Sequence, residues 1–559
     1  MKNTTVLLLL LLTYSVSSQT IRYVTVAGGG TGTSTASTWT FAQLSANATC
    51  NMTAYVQVGN YGTAQYSFNL SCTSGTPFKI IAVDNSWNPI VVVPTKVSEI
   101  DGSTHTRATY THSDAFSGTD LPYLNSGLGF AQNGTGTGLT ISGSYITIDG
   151  FAVRGYNIGF IINGSNHTIN NINADFNGLH SDDNYDGFLV TNCCTGVNIN
   201  VGATNSKFTN IFARDGSHIA ISDQNGSNDY DYVEIYTTKL DANGNSTDYQ
   251  FLLNGGGSTV DYAYIFRELL TWHLSHGYVI KPQSGISSGN ILTNIYAQNS
   301  KIELQGTGAQ YNTIKNAVLV NKSTTNADDY YATQINILNG AHHNTLENII
   351  MWQPTWGVLY ENFVEGYAND ADYAGNDNIF KNLVVINPWS AHIGFVERNA
   401  HTNTNATNEN YYHSTFVGGN MFYRSAQTGL LTGGIYNSIM TSSALGNGSA
   451  YVSSAFVFDK INTPATLTPY TETNITNLSF SFLDAMASNS ENISQFDYSP
   501  STTILDIGAN RNTIAPNDFQ GILRTSTPTL GAYKSLLDVV ATPTLSTIKR
   551  KIRFYLNDY

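Results

Sequence analysis

The sequence predicts an all-β fold, a right-handed parallel β-helix, and three observations carry that prediction. The first is a repeated phrase. Asn312 to Val320 reads NTIKNAVLV, and the phrase returns as NTLENIIMW from Asn344 and NIFKNLVVI from Asn378. Looser copies are NHTINNINA from Asn166, NSKFTNIFA from Asn205 and GNILTNIYA from Gly289. Steps of about thirty residues are the period of solenoids and arrays. The second observation is the alternation of apolar and polar positions inside each copy, which is the two-residue period of a strand. The third is the punctuation: Gly, Asn, Asp and Ser separate the short apolar runs, and no long helical period intervenes.

The Asn residues belong at the bends. Asn tolerates left-handed backbone angles, and its amide can satisfy backbone groups that a turn leaves unpaired. Stacked coil on coil, such amides can also bond one another. Asn312, Asn344 and Asn378 should therefore occupy one position on successive coils, with Ile314, Leu346 and Ile379 pointing inward. Burial of each aliphatic side chain contributes about 1.5–3 kcal/mol, enough to fix the register.

Composition agrees. Of 559 residues, 41% are hydrophobic and only 11% charged, less than half the usual charged fraction. The repeats divide the chain into a leader over 1–18, a cap with the first coils over 19–140, the β-helix over 141–540 and a tail over 541–559. The leader, MKNTTVLLLLLLTYSVSS, has an early Lys, a short apolar run and small residues before Gln19, the form of a secretory signal peptide. Its apolar run is too short to span a bilayer, so the expected location is extracellular. An exported chain permits disulfides, and Cys50 with Cys72 is the expected pair. Adjacent Cys193 and Cys194 read as two small buried residues.

A formal net charge of −14 argues against nucleic acid as partner. It leaves a polysaccharide open, because a groove can be locally cationic or calcium-loaded in an acidic protein. The basic run KRKIR from Lys549 reads as a solvated end.

Both ends of the chain resemble a known family. YVTVAGGGTGTSTASTWTF from Tyr23, AYVQVGNYGT from Ala54 and SGTPFKIIA from Ser74 are similar to the opening of exported pectate-lyase-like right-handed β-helix proteins. APNDFQGILRTSTPTLGAYKSL from Ala515 resembles their closing segment. The resemblance implies the fold; that one fold also hosts hydrolases, epimerases and inert adhesins.

Two segments concentrate chemistry. SDDNYDGF supplies Asp182, Asp183 and Asp186, with Asp175 upstream, oxygen donors suited to Ca²⁺ and equally ordinary turn vocabulary. One coil later ARDGSHIAISD supplies Arg214, Asp215, His218 and Asp223. This region resembles the calcium-dependent pectate lyases of family nine: NYDGF places Asp186 on a family ligand position, with Asp215 the nearby second acid. The acidic cluster and the resemblance together make Asp182, Asp183, Asp186 and Asp215 the candidate metal ligands. Leu252, in YQFLLNGGG, stands where the family's base Lys would fall. The second segment, FRELLTWHLSHGYVIKP, gathers Arg267, Glu268, Trp272, His273, His276, Tyr278 and Lys281. In β-elimination a cation neutralises the uronate carboxylate and a base removes the neighbouring proton. Arg214, His218, Arg267 and Lys281 are the candidates for that work, and Trp272, His273, His276 and Tyr278 for holding sugar. The expected activity is therefore a polysaccharide lyase on a uronate-containing glycan. A hydrolase would instead use two of the Asp carboxyls, and a non-catalytic adhesin or carbohydrate-binding protein would need neither.

Overall fold

The computed structural model describes residues 19–90, 121–126, 136–175, 197–215, 219–237, 249–267, 276–282, 285–321, 334–362, 373–397, 405–424, 430–442 and most of 444–533. The leader, Asp182, Asp183, Asp186, Cys193, Cys194, His218, Glu268, Trp272, His273 and the basic tail lie outside them.

A typical coil contributes one strand to a 12-stranded sheet and one longer, bent strand to a 23-stranded sheet, which also takes two-residue strands such as Ser287–Ser288 and Ala309–Gln310. All pairings within both sheets are parallel among the described residues, as in Ile291↔Thr313, Thr313↔Thr345 and Thr345↔Ile379. The chain is a right-handed parallel β-helix. Its core is the space between the short and long sheets, filled by aliphatic residues such as Ile302, Leu304, Ile314, Leu346 and Leu383. Aromatic rings stack along the axis too, Phe208 on Tyr230 at 4.7 Å and Phe380 on Tyr411 at 4.6 Å.

The repeated phrase resolves into two Asn rows. In the close copies the first residue, Asn312, Asn344 or Asn378, is buried at the entrance to the long-sheet strand; in the looser copies it is the second, His167, Ser206 or Asn290. There the backbone N–H of each coil donates to the side-chain oxygen of the next: His167 to Ser206, Ser206 to Asn228, Asn228 to Ser258 and Ser258 to Asn290. The row continues from Asn290 to Asn312 at 2.9 Å, then to Asn344 and Asn378 at 3.0 Å each. Each Asn amide also donates to a carbonyl on the preceding coil, Asn344 to Ala309 and Asn378 to Ala341. The second Asn of the phrase sits at the bend of the strand with positive φ, as at Asn294, Asn316, Asn348 and Asn382. Their amides form an outer row, Asn316 to Asn294, Asn348 to Asn316 and Asn382 to Asn348.

The expected equivalence of Asn312, Asn344 and Asn378 holds, and Ile314 and Leu346 point inward. Ile379 does not. The register pairs Leu346 with Phe380, and Phe380 is the fully buried residue. Counting two residues on from Asn378, as for Asn312 and Asn344, reaches Phe380; Ile379 faces the other side.

The N-terminal end is capped, and a C-terminal strap lies along the outer face of the long sheet. At the N-terminal end the helix Phe41–Asn47 begins on a capping box between Thr40 and Gln43 and buries Phe41 and Leu44 over the first coils. Strands begin at Thr20 and stack directly on the later coils, and Cys50–Cys72 forms the expected disulfide. At the other end the segment around Phe519 to Tyr533 lies against the outer face of the long sheet. Ala532 and Tyr533 join an outer-face apolar cluster that runs from Tyr264 and Phe266 through Val320 and Trp352 to Ile386. Buried Arg524 donates to Asn382 Oδ1 at 2.9 Å, fastening this strap to the outer Asn row.

The inner row ends on Glu409, which accepts from Asn378 and from the Tyr360 hydroxyl, both at 3.0 Å. On the next coil Gly433 takes its place and offers no side chain. Burial pushes the Glu409 carboxyl up to about 8, outweighing the hydrogen bonds from Asn378 and Tyr360 that pull it down. The folded value lies above the ordinary 4.5, so the stabilisation is complete below the ordinary value and is lost as pH rises through about 8. Thermal stability should therefore fall between mildly acidic and alkaline pH, and Glu409→Gln, which stays neutral, should flatten that fall. Asn344→Ala removes the acceptor for both the backbone and the amide of Asn312. It should cost about 2–4 kcal/mol in denaturant titration, since each buried unpaired group costs about 1–3 kcal/mol.

Candidate functional site

Six of the residues selected from the sequence lie in the described structure, and it divides them among three places. Arg214 ends the long-sheet strand Lys207–Arg214 beside its register partner Asp175. Its Nε donates to Asp175 Oδ1 at 2.9 Å and its Nη2 to Oδ2 at 2.5 Å. Burial pulls the guanidinium down, but its bonds and charge contact with Asp175, together with Asp215, hold it above its ordinary value. Asp215 follows in a left-handed conformation and is buried. Arg267 ends the equivalent strand two coils on and is fully buried, its carbonyl accepting from Gln298 and Asn299.

Tyr278 is corrected outright. It was selected as a sugar platform, yet its ring is in the core and its hydroxyl donates to the Ala263 and Tyr296 carbonyls at 2.6 and 3.0 Å. The ring spans from one sheet to the other and has no face for a ligand.

His276 and Lys281 remain, and around them the outer face of the short sheet carries a compact charged cluster. The strand His276–Ile280 pairs with Lys301–Gln305, and the register slips by one residue between His276 and Tyr278. Gly277 is the extra residue, and a Cβ there would lie 2.6 Å from the Lys301 carbonyl, so only glycine fits the bulge. The slip separates His276, on the outer face, from Tyr278, in the core, although alternation alone would align them. On the next strand Ile302 and Leu304 point inward, so Lys301, Glu303 and Gln305 share the opposite face.

The contacts follow from this register. His276 Nδ1 lies 3.0 Å from Glu303 Oε2, and Lys301 Nζ lies 2.7 Å from the same oxygen. The His276 ring stacks on Tyr249 at 4.7 Å. Lys281 Nζ reaches the Tyr249 hydroxyl at 3.3 Å, with its charge 5.5 Å from the ring centre. Burial would raise the Glu303 carboxyl, but the adjacent His276 and Lys301 charges and hydrogen bonds outweigh it and hold the group well below its ordinary value. Glu303 Oε1 is buried with no hydrogen-bond partner. On the neighbouring strand Asn336 pairs with Glu303, donates Nδ2 to Glu361 Oε2 at 3.0 Å, and leaves its own Oδ1 unpartnered.

Leu252 lies on this same face, packed with Val197, Ile219 and Val279 beside Tyr249. An aliphatic patch thus occupies the place of the base Lys expected from the resemblance. Tyr249, Lys301 and Glu303 were not selected from the sequence. The signal was in KIELQ, where Lys301 and Glu303 flank an inward Ile302.

Chemically, the cluster offers an imidazole oriented by an ionised carboxylate, with two ammonium groups within the same patch. Among the described residues no group of three or more His, Cys, Asp or Glu side chains is placed to hold a metal, and no helix is long and apolar enough to cross a membrane.

No family model and no curated protein matches the chain. Among solved structures it is similar to the pectate lyase Pel9A, at 14% identity over 93% of this chain and 98% of that one, with a TM-score of 0.33. It is similar to the family-six alginate lyase AlyGC, at 11% identity over 82% and 55%, TM-score 0.41. A rhamnogalacturonan lyase matches at 11% identity over 92% and 97%, TM-score 0.32. The pectate-lyase-like resemblance holds at the level of fold, and at these values the neighbours add nothing to the residue-level account.

The cluster predicts a coupled response. Glu303→Gln leaves the buried Lys301 ammonium without its charge partner, so denaturant titration should show a loss of about 3–5 kcal/mol. Tyr249→Ala should leave that ion pair in place and weaken only the packing of the ring.

Proposed function

We propose that this protein is an exported polysaccharide-degrading enzyme, a lyase that cleaves a uronate-containing glycan by β-elimination. The observation that supports this is the His276–Glu303–Lys301 cluster on the outer face of the short sheet, with Lys281 and Tyr249 beside it. Export is supported by the leader form of residues 1–18.

In this reading the Lys281 ammonium pairs with the uronate carboxylate and stabilises the enolate-like intermediate, while Lys301, buried against Glu303 at 2.7 Å, fixes the Glu303 carboxylate. His276, held by Glu303, takes the proton α to that carboxylate. The C4–O4 bond then breaks, C4 and C5 become a double bond, and the departing oxygen takes a proton. Tyr249 supports the His276 ring. Arg214, bound to Asp175, serves as a scaffold ion pair, whereas His218, Trp272 and His273 remain proposed groove residues on their sequence context alone.

The resemblance also implies calcium. Asp182, Asp183 and Asp186 remain proposed ligands together with Asp215. Among the described residues no group of three or more His, Cys, Asp or Glu side chains is placed to hold such an ion; one bound by the Asp residues would supply further positive charge for the uronate carboxylate.

One observation favours a second reading, a non-catalytic glycan-binding β-helix. Leu252 and its aliphatic neighbours occupy part of the same face and offer no proton acceptor.

The test is to incubate the mature protein with pectate, alginate and neutral glycans, with and without EDTA. A lyase produces the ultraviolet absorbance of an unsaturated uronate, and His276→Ala should lower its rate by about 10²–10⁴-fold. New reducing ends without that absorbance would indicate hydrolysis instead. Binding without cleavage would establish the second reading, and activity unchanged in His276→Ala would remove the cluster from the mechanism.

A further inference from the structure

His342 and His343 take no part in the proposed cleavage site. They lie at a different corner of the coil, between the short-sheet strand Ile335–Leu338 and the long-sheet strand Thr345–Trp352. Consecutive side chains on an extended strand point to opposite faces. Here His343 adopts a left-handed conformation, φ 55°, which turns its ring back beside His342. The ring centres are 4.9 Å apart at 80°, and the two Nδ1 atoms approach to 2.7 Å.

Neighbouring coils fix both rings. Tyr311 on one side and Asp377 on the other share the same left-handed corner position, each with φ 55°. Asp377 Oδ2 lies 3.6 Å from His343 Nε2, a charge contact that favours a proton on that nitrogen. Asp377 Oδ1 accepts from Asn408 Nδ2, which orients the carboxylate. The Thr307 carbonyl accepts a hydrogen bond from the His342 ring. The Tyr311 ring stands 5.1 Å from His343 and leaves the outer side of the pair open to solvent.

A neutral imidazole carries one proton. The two Nδ1 atoms share a hydrogen bond when one of them carries its ring's proton; when both protons sit on Nε2, both Nδ1 lone pairs are available to a single cation beside them. We propose that His342 and His343 chelate a divalent first-row transition-metal ion of the Cu²⁺ or Ni²⁺ class, with Asp377 orienting one ligand and water completing the coordination. The geometry selects the class. Two metal–nitrogen bonds of about 2.0–2.1 Å place their nitrogens about 2.9 Å apart at a right angle and about 3.4 Å apart at the tetrahedral angle. The observed 2.7 Å is nearer the right-angle value, which suits square-planar or tetragonal Cu²⁺ and Ni²⁺ better than tetrahedral Zn²⁺. Carboxylates that orient a ligating histidine characteristically strengthen such sites.

Calorimetric titration of the mature full-length protein with Cu²⁺, paired with the electron paramagnetic resonance spectrum of the bound ion, tests this. One saturable equivalent with a nitrogen-ligand signature is expected, held more tightly than Zn²⁺. The His342→Ala/His343→Ala double variant should lose that equivalent, and Asp377→Asn should weaken it by about 10–100-fold. Metal-free melting curves that match the parent's would show that the variants fold. No saturable binding, or an equivalent retained in the double variant, would overturn the proposal. The glycan assays are independent of this corner, so neither result decides the other.

Discussion

The structure depends on one interaction, the backbone N–H of each coil donating to a buried side-chain oxygen of the next. A parallel β-helix must turn a corner several times per coil, and each corner strands polar backbone groups away from both sheets. Here His167, Ser206, Asn228, Ser258, Asn290, Asn312, Asn344 and Asn378 answer that demand at a single position. The side chain at the corner satisfies a neighbour's backbone and, when it is Asn, a carbonyl as well. Because one residue serves two coils, a slip in register would orphan several groups at once. The Asn row therefore fixes register as well as adding stability.

Register is what gives the outer faces their chemistry. His276, Lys301 and Glu303 come from two coils, and their contacts exist only because the strands stack in one alignment with a bulge at Gly277. The same stacking places Leu252 against Val279 and leaves an aliphatic patch beside the charged cluster. Charge is sparse in this chain, and two groupings of it are paired, Arg214 with Asp175 and Glu303 with Lys301 and His276, whereas Glu409 is buried beside the neutral donors Asn378 and Tyr360. Unpaired buried charge is costly, so these groupings mark where the coil tolerates function or specificity at the expense of apolar packing.

Much of the fold was legible because its signals are local. The spacing of NTIKNAVLV and its copies announced the coil, alternation announced the strands, and Cys50 with Cys72 announced a disulfide that the structure contains. The phrase even held both Asn rows, though only their sum was visible as a string. The site was less legible because it depends on which residues of different coils meet. Coil length varies, from 22 residues between Asn290 and Asn312 to 39 between His167 and Ser206, so sequence distance does not give register. The one-residue error at Ile379 is the simplest case, and the bulge at Gly277 is the more consequential. It separates His276 from Tyr278, which the sequence reading places together as sugar-holding residues, and it joins His276 to Glu303, which lies 27 residues away.

The most direct test of this account is amide hydrogen exchange on the mature protein, read in peptides that cover Ser258, Asn290, Asn312 and Asn344. If the buried row holds the coils together, these corner amides should exchange only through global unfolding, as slowly as the central strand amides that flank them. Exchange at these corners on the timescale of ordinary surface turns, while the strands stay protected, would contradict it.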